Sequence, residues 1–349
     1  RIVHLNHTEA YLHQKSAEGW LDTYAVLAGV QGREQRIASP NANGDTYFDI
    51  ASCGKVLVTS TLILQAVGEG KIGLDDRLER FFANVPEEKK PITIRQLLTH
   101  TSGIVRVLFP EDVAHAGHDA IASFILSTPL AYSPGTNYIY SCNGFMLLGF
   151  ILERLYGEQL DAIFEKRLKR PLGLTRSRYN IAIDEPNAAV CYERKDVGSL
   201  RVDDINVYNM GGVAGAGGLF WTLNDMEKFV KAVLRKDPAL YAEQLFALAE
   251  KDYTPDFQEG RGLGYLIVDE RYPQTGKLFP KGSFGHTGWT GTSFFLHRSS
   301  GLYAIVLTNI TRFTSIKSGF TRADSEMTHR LRAEIHNSIY CDLLEQCLV

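Results

Sequence analysis

The chain has 349 residues, of which 44% are hydrophobic and 22% are charged, and its net charge is −3. This composition is ordinary for a globular protein that can bury one large core or two medium ones. Because no sustained run of Lys and Arg occurs, the sequence predicts neither a nucleic-acid partner nor an anionic membrane partner. The apolar runs 56–67 and 145–152 are interrupted or short, so neither reaches the roughly 20 residues that span a bilayer.

The cellular compartment is predicted from the first residues and from the cysteines. Residues 1–25 carry five charged side chains and lack the apolar stretch of a secretory signal. Five cysteines leave at least one thiol free and form no Cys-x-x-Cys pair, which favours a reducing compartment. We therefore expect a cytoplasmic protein, and a leader removed ahead of residue 1 is compatible with the same sequence.

The predicted elements begin with a short helix at 8–19, paired strands at 24–30 and 35–38, and a helix from Ser52 to the glycines at 68–70. A proline-punctuated helical region follows, with helices at 94–99, 120–127, 144–156 and 160–169. A helix at 224–234 comes next, and strands follow at 264–268, 293–297 and 303–308. A helix of about twenty residues from Ser325 ends the chain. We predict an α+β fold. Residues 1–75 and 260–349 form an antiparallel sheet flanked by helices. Residues 76–259 are inserted between these two segments as a mainly helical region.

The segment Ser52-Cys53-Gly54-Lys55 places a serine and a lysine on one face of a helix, one turn apart. In that arrangement the amine can take the hydroxyl proton, so that the serine oxygen can attack a carbonyl carbon. The tetrapeptide alone is weak evidence, since about one such match is expected by chance in a chain of this composition. On this motif alone, an ordinary helix pair is the favoured interpretation.

Other catalytic patterns are missing from the sequence. Without a Gly-x-Ser-x-Gly elbow, an α/β-hydrolase is not indicated. Without His-Glu-x-x-His or cysteines at zinc spacing, no metal site is predicted. No Gly-x-Gly-x-x-Gly phosphate fingerprint occurs either. We therefore expect no metal and no cofactor.

Five further segments stand in a consistent order along the chain: Leu97-Leu98-Thr99-His100-Thr101-Ser102-Gly103, then Pro134-Gly135-Thr136 with Tyr140-Ser141 and Leu147-Leu148-Gly149, the glycine-rich residues 211–220, Gly285-His286-Thr287-Gly288-Trp289-Thr290-Gly291-Thr292, and Leu307-Thr308-Asn309. Together with Ser-x-x-Lys they resemble the serine β-lactamase-like family, which includes class C β-lactamases, DD-peptidases, D-aminopeptidases and related esterases. The resemblance covers roughly residues 20–345. It implies the β-lactamase/DD-peptidase-like fold and serine hydrolase chemistry.

The resemblance also implies roles for individual residues. Ser52 would be the nucleophile, Lys55 its proton partner, and Tyr140 the second acid–base group. The backbone N–H groups of Ser52 and Trp289 would form the oxyanion hole, which stabilises the charge of the tetrahedral state. The remaining predicted site residues would contact the substrate: Cys142, His286, Thr287 and Gly288.

Two positions depart from the family pattern. The family's tyrosine motif is usually Tyr-x-Asn, but counting back from Leu147-Leu148-Gly149 places Tyr140 at the tyrosine and Cys142 at the asparagine. Asn143 follows one residue later, and a helix turns by about 100° per residue. His286 stands where many penicillin-recognising members have lysine, and a mostly neutral histidine selects less strongly for a carboxylate. Both departures favour ester or small-amide hydrolysis over efficient β-lactam turnover.

We therefore expect a cofactor-free serine hydrolase that acts through an acyl-enzyme on a small ester or a D-amino-acid-type amide, so its partner is a small molecule or a peptide. A DD-peptidase or β-lactamase is the alternative with the same chemistry. Because the Tyr-x-Asn asparagine is missing, a binding or sensor module that acylates without turning over is the alternative from another class. Tyr140 as a core aromatic also stays open, and Tyr138 is then the next candidate.

Overall fold

The computed structural model describes residues 2–192, 201–271, 274–318 and 322–349. Within these ranges ten strands form two sheets: β1 (Tyr24–Val30), β2 (Arg33–Ala38), β3 (Phe48–Asp49), β4 (Arg178–Tyr179), β5 (Leu219–Trp221), β6 (Gly260–Arg261), β7 (Leu266–Ile267), β8 (Phe284–Thr287), β9 (Ser293–His297) and β10 (Leu302–Thr308).

The helices in the described ranges are α1 (Asn6–Ala17), α2 (Thr61–Gly68), α3 (Ile94–Leu98), α4 (Glu111–Ala114), α5 (His118–Ser127), α6 (Cys142–Tyr156), α7 (Leu160–Phe164), α8 (Arg170–Leu172), α9 (Ile205–Asn209), α10 (Leu223–Leu234), α11 (Gln244–Ala249), α12 (Ile310–Ser318) and α13 (Arg322–Glu345). Short 3-10 turns occupy Leu78–Arg80 and Glu87–Lys89, and π-helical turns occupy Lys55–Ser60 and Glu165–Lys169. None of the described helices combines the length and the apolar composition required to cross a bilayer.

The larger sheet is antiparallel throughout, in the order β2-β1-β10-β9-β8-β7-β6. Its longest pairing joins the first strand to the last, from Tyr24 opposite Thr308 to Val30 opposite Leu302. The sheet is therefore built from both ends of the chain, and the predicted α+β fold is confirmed. The domain boundaries at residues 76 and 259 stay a prediction.

Both faces of β1 are buried, which explains why its sequence is apolar without a polar side. Ala25 and Leu27 pack into the larger core, which also contains the central helices. Val26 and Ala28 point to the opposite face, as the alternation of a strand requires. There they pack in a second core with α13, whose buried Leu331, Ile335 and Ile339 recur every four residues.

A second sheet, in the order β3-β5-β4, holds the chain just ahead of Ser52. Ile50 N–H donates to the Leu219 carbonyl oxygen at 3.2 Å, and Ala51 adopts a left-handed backbone with φ of 47°. Such strain in a non-glycine residue persists only where the surroundings enforce it. A Cβ at Gly54 would lie 2.7 Å from Leu219 Cδ1. The glycine after Cys53 therefore permits the close approach of β5 to the helix that carries Lys55.

Several element boundaries differ from those predicted by the sequence. Ser52 lies in the turn before the helix rather than in it, and π-helical turns occupy Lys55–Ser60 and the second half of the helix predicted at 160–169. The strand predicted at 264–268 is limited to β7, since Gly264 has a φ of +93°. The prediction missed the very short elements β3, β4, β6 and α9, because each has too few residues for a periodic pattern. The prediction also missed β5, β8, α11 and α12.

Candidate active site

Ser52 and Lys55 are in direct contact. Lys55 Nζ donates to Ser52 Oγ at 2.8 Å and to the Ala216 carbonyl oxygen at 3.0 Å. The Lys55 side chain is fully buried, while Ser52 is partly exposed at the wall of a cavity of about 630 Å³. The three-residue spacing thus gives the contact that the sequence predicts.

The surroundings of Lys55 favour its charged form. Burial by itself lowers the pKa of a lysine, but Cys142 and Tyr140 beside it outweigh this effect and raise the pKa of Lys55 above its ordinary value. Lys55 is therefore an ammonium at neutral pH. As an ammonium, it donates to Ser52 Oγ and can stabilise negative charge on a neighbouring oxygen. In this state the lysine cannot take the serine proton, unlike the amine expected from the sequence.

Tyr140 lies between two cations at the cavity wall. Lys55 Nζ is 5.2 Å from the centroid of the Tyr140 ring, and Arg261 Cζ is also 5.2 Å from it. The His100 ring packs at 4.6 Å on the same tyrosine. Cations beside a phenol stabilise the negative charge that develops on its oxygen when it gives up its proton. This position supports an acid–base role for Tyr140 rather than a purely structural one.

His100 has a structural role next to Tyr140. Its Nδ1 accepts a hydrogen bond from the Ser141 backbone N–H at 3.0 Å. Burial, followed by the charge of Arg261, holds the pKa of His100 well below its usual range, so the ring is neutral. Ser141 in turn caps α6 by accepting from Gly144 N–H at 3.1 Å. His100 therefore fixes the residue between Tyr140 and Cys142.

Tyr138, the second tyrosine candidate, is engaged elsewhere. Its hydroxyl donates to Glu259 and accepts from Arg261 Nε at 3.2 Å. These two residues form a buried ion pair, with Arg261 Nη2 2.5 Å from Glu259 Oε1. The geometry therefore favours Tyr140 over Tyr138 as the group that exchanges protons with Ser52.

Cys142 occupies the first position of α6 and lines the cavity. Asn143 is fully buried and lies outside the cavity wall formed by the described residues. Its side-chain nitrogen and oxygen have no hydrogen-bond partner there. The one-residue shift thus places the thiol, and not the amide, toward the cavity, as the helical rotation predicts.

The segment from Gly285 to Thr292 begins on β8 and continues along the same cavity. Gly288 packs so closely on the chain ahead of Ser52 that a Cβ would lie 2.6 Å from the Ile50 carbonyl oxygen. Trp289 is 39% exposed and lines the cavity. Among the described residues, no acceptor takes a hydrogen bond from the backbone N–H of Ser52 or of Trp289. Both donors are therefore available to a substrate oxygen.

His286 is a neutral ring with both nitrogens engaged. Arg261 Nη1 lies 2.9 Å from Nε2, and a guanidinium can only donate, so Nε2 accepts. Nδ1 then carries the proton and donates to the Thr287 carbonyl oxygen at 2.6 Å. Burial, together with the charges of Arg261 and Lys55, holds the pKa of His286 well below its usual range. The cationic charge at this position comes from Arg261.

Two further carboxyl groups line the cavity, those of Asp49 and Asp203. Asp49 is buried and accepts from the N–H groups of Ala51 and Asp203, both at 2.9 Å. Burial raises the pKa of Asp49 to about 6. Burial and the charge of Asp49 raise the pKa of Asp203 to about 7. The cavity therefore changes its charge between about pH 5 and pH 8.

These carboxyl groups predict a pH-dependent stability. A carboxyl group with a raised pKa ionises first in the unfolded state, so stability falls as the pH rises from about 4 to about 7. Asp203→Asn removes this cost and keeps the backbone donor to Asp49. We expect it to raise the free energy of unfolding by about 1–2 kcal/mol at pH 8, after allowance for its partial exposure, and to change little at pH 4. Urea denaturation at both pH values measures this.

The matched control is Asp256→Asn, because Asp256 is exposed and the substitution is chemically identical. We expect no pH-dependent gain from this control. A stability at pH 8 that is unchanged or lowered in Asp203→Asn would contradict the assigned carboxyl pair.

All the predicted site residues meet at this cavity. Seven line it, and Lys55 lies behind Ser52: Ser52, Tyr140, Cys142, His286, Thr287, Gly288 and Trp289. Sequence reasoning missed the charged residues around them, which belong to no motif and are distant in the chain: Asp49, Arg106, Asp203, Asp204, Glu259, Arg261 and Arg332. For Asp49 alone, the position three residues before Ser52 is a usable signal.

Comparison with protein families shows which family the chain belongs to. The family model described as Beta-lactamase matches residues 10–324. The chain belongs to the β-lactamase family. It is therefore a serine hydrolase of the β-lactamase-like type, and the resemblance recognised in the sequence is confirmed.

Individual relatives of this β-lactamase-family chain differ in their named activities. A protein of Escherichia coli (strain K12) with the provisional name D-alanyl-D-alanine carboxypeptidase is 30% identical, over 77% of this chain and 70% of that protein. An N-acetylmuramyl-L-alanine amidase of Bacillus subtilis (strain 168) is 27% identical, over 76% and 68%. The solved structure of EstCE1, a hydrolase with promiscuous acyltransferase activity, matches with a TM-score of 0.74 at 18% identity, over 96% and 98%. The match to EstCE1, at this low identity, shows only that the two proteins share a fold.

Proposed function

We propose that the protein hydrolyses a small ester or a D-amino-acid-type amide through an acyl-enzyme on Ser52. The observation that carries this proposal is the 2.8 Å contact between Lys55 Nζ and Ser52 Oγ at the cavity wall. Tyr140, next to the same lysine, supplies the acid–base group. Geometry of this kind, with a nucleophile beside its activating groups, is the signature of covalent catalysis.

In the acylation step, Ser52 Oγ attacks the substrate carbonyl carbon while its proton passes to the oxygen of Tyr140, which enters the step as a phenolate and becomes a phenol. Lys55 stays an ammonium and stabilises the charge on both oxygens. The N–H groups of Ser52 and Trp289 hold the oxyanion. Tyr140 then gives the proton to the leaving alcohol or amine as the bond from that group to the carbonyl carbon breaks. Water releases the acyl group by the reverse sequence.

The substrate class is inferred from the residues around Ser52. Cys142 offers weak hydrogen bonds where an asparagine would hold a substrate amide. His286 uses both ring nitrogens within the protein and carries no charge. These features support an ester or a small amide as the substrate. EstCE1, a hydrolase with promiscuous acyltransferase activity, is an example of acyl transfer on this fold.

A DD-peptidase or β-lactamase activity is the second candidate. It is supported by the name of the E. coli relative, a D-alanyl-D-alanine carboxypeptidase. Arg106 and Arg261 at the cavity wall could attract the carboxylate of such a substrate. Steady-state kinetics with p-nitrophenyl esters, D-amino-acid anilides and nitrocefin separate the two candidates. Higher kcat/KM for esters or anilides supports the proposal, and higher kcat/KM for nitrocefin contradicts it.

A sensor module that acylates without turnover is the alternative from another class. Intact-mass spectrometry with an activated ester distinguishes it from an enzyme. An enzyme forms the adduct, releases it and turns over many equivalents of ester. A sensor stops after one equivalent, and that outcome would contradict the proposed hydrolysis.

Cys142 provides a direct test of substrate selection. We expect Cys142→Asn to raise kcat/KM for an amide relative to an ester by a few-fold to about tenfold. A carboxamide supplies one good hydrogen bond to a substrate amide, worth about 0.5–1.5 kcal/mol. The measurement is kcat/KM for one ester and one amide on both proteins. The control is Cys347→Asn, because Cys347 is exposed and does not line the cavity of the described residues. An unchanged ratio would mean that position 142 does not contact the substrate.

A further inference from the structure

Arg332 on α13 is a buried cation at the cavity, next to the segment from Gly285 to Thr292. Its side chain is 1% exposed and lies at the cavity wall. Nη2 donates to the Gly288 carbonyl oxygen at 2.6 Å, and Nη1 donates to Gln274. The short distance is that of a strong, charge-assisted hydrogen bond. The buried arginine therefore acts on one particular peptide group, the one between Gly288 and Trp289.

The Gly288 carbonyl belongs to the peptide unit that carries the Trp289 N–H. In a trans peptide the C=O and the N–H point in opposite directions within one plane, and this chain has no cis peptide among its described residues. A cation bound to the oxygen therefore fixes the orientation of the N–H. It also polarises the peptide, which makes the N–H a stronger donor.

A second contact holds the same carbonyl. Gly291 N–H donates to it at 3.0 Å across a tight turn, so both acceptor positions of the Gly288 oxygen are occupied. On the other side, Gly288 packs against the Ile50 carbonyl and Ala51. The peptide that follows Gly288 is thus locked beside the chain that leads into Ser52. Its orientation is set before any substrate arrives, as an oxyanion donor requires.

We propose that Arg332 is a positioning residue for the oxyanion hole: by binding the Gly288 carbonyl, it orients and polarises the peptide whose Trp289 N–H holds the substrate oxygen. This inference rests on the proposed function, because it needs an acyl-enzyme on Ser52. Arg332 acts on the reacting oxygen only through this peptide.

The test is the carbonyl stretching frequency of the acyl-enzyme, from infrared difference spectra with 12C- and 13C-labelled acyl groups. The acyl donor is an activated ester without a carboxylate, so that no direct ion pair between substrate and arginine contributes. In the wild-type protein we expect hydrogen bonds from the oxyanion hole to lower the frequency of this band. In Arg332→Met we expect the band to shift to higher frequency and kcat/KM to fall by about 10- to 100-fold.

Arg332→Lys keeps a cationic donor, and we expect it to restore part of the band shift and of the rate. Arg298→Met is the matched control, because Arg298 also donates to backbone carbonyls, those of Leu234 and Val233, but does not line the cavity of the described residues. We expect the wild-type band in this control. If Arg332→Met does not fold, Arg332→Gln, which removes the cation but keeps a polar side chain, is read in the same way.

Failure of the inference is distinct from failure of the proposed function. Absence of an acyl-enzyme in the wild-type protein would contradict the proposed function. Two results would overturn the role of Arg332. One is an acyl-enzyme of folded Arg332→Met whose carbonyl band has the wild-type frequency. The other is a loss of kcat/KM that occurs only with carboxylate-bearing esters.

Discussion

Ser52→Ala is expected to abolish covalent labelling by fluorophosphonate probes and to lower kcat for an activated ester by about 10³-fold or more. The substitution removes the oxygen that forms the acyl bond. Residual turnover of about 10³-fold over water is expected from the oxyanion hole and from substrate binding. Steady-state kinetics and intact-mass spectrometry measure both quantities.

The fold should survive this change, because Ser52 is partly exposed and its hydroxyl has one hydrogen bond among the described residues, from Lys55 Nζ. Circular dichroism and thermal unfolding verify this. Ser60→Ala is the matched control, since Ser60 ends the π-helical turn that follows Ser52 and its hydroxyl has no hydrogen-bond partner among the described residues. Undiminished ester turnover in folded Ser52→Ala would contradict the assignment of the nucleophile.

Lys55→Ala and Tyr140→Phe are each expected to lower kcat by about 10²- to 10⁴-fold. Lys55 holds Ser52 Oγ at 2.8 Å and lies against the Tyr140 ring. Removing either residue breaks the same proton transfer. The double variant should therefore cost far less than the product of the two single effects. The measurement is kcat for one ester on the two single variants and the double variant.

Tyr138→Phe is the matched control for Tyr140→Phe, because the Tyr138 hydroxyl bonds to Glu259 and Arg261 instead of the nucleophile. We expect a much smaller loss of kcat from this control. Near-wild-type turnover in Tyr140→Phe, with a large loss in Tyr138→Phe, would move the acid–base role to Tyr138.

The sequence predicts those parts of the site that depend on local spacing. The contact between Ser52 and Lys55 follows from their three-residue spacing, with Ser52 in the turn just ahead of the helix. The position of Cys142 at the cavity follows from counting along α6, and Asn143 is turned away for the same reason. The long buried strands β1, β9 and β10 are also predictable, because each is a continuous apolar or alternating run.

The electrostatic surroundings of the site are not predictable in this way. Arg261 lies on a two-residue strand, and Asp203 lies in an irregular segment. Arg332 reaches the cavity from the closing helix, 44 residues after its partner Gly288. Each is placed by tertiary packing and not by a local pattern. The raised pKa of Lys55 likewise arises from Cys142 and Tyr140, which the fold brings next to it.

The most direct test of the account is to locate the acyl group on the protein. The wild-type protein is mixed with an activated ester, quenched in acid, digested and mapped by tandem mass spectrometry. The account predicts a mass increase of one acyl group on Ser52 that forms and decays as the ester is consumed. An acyl group on another residue, or ester turnover with no covalent intermediate on Ser52 at any quench time, would contradict it.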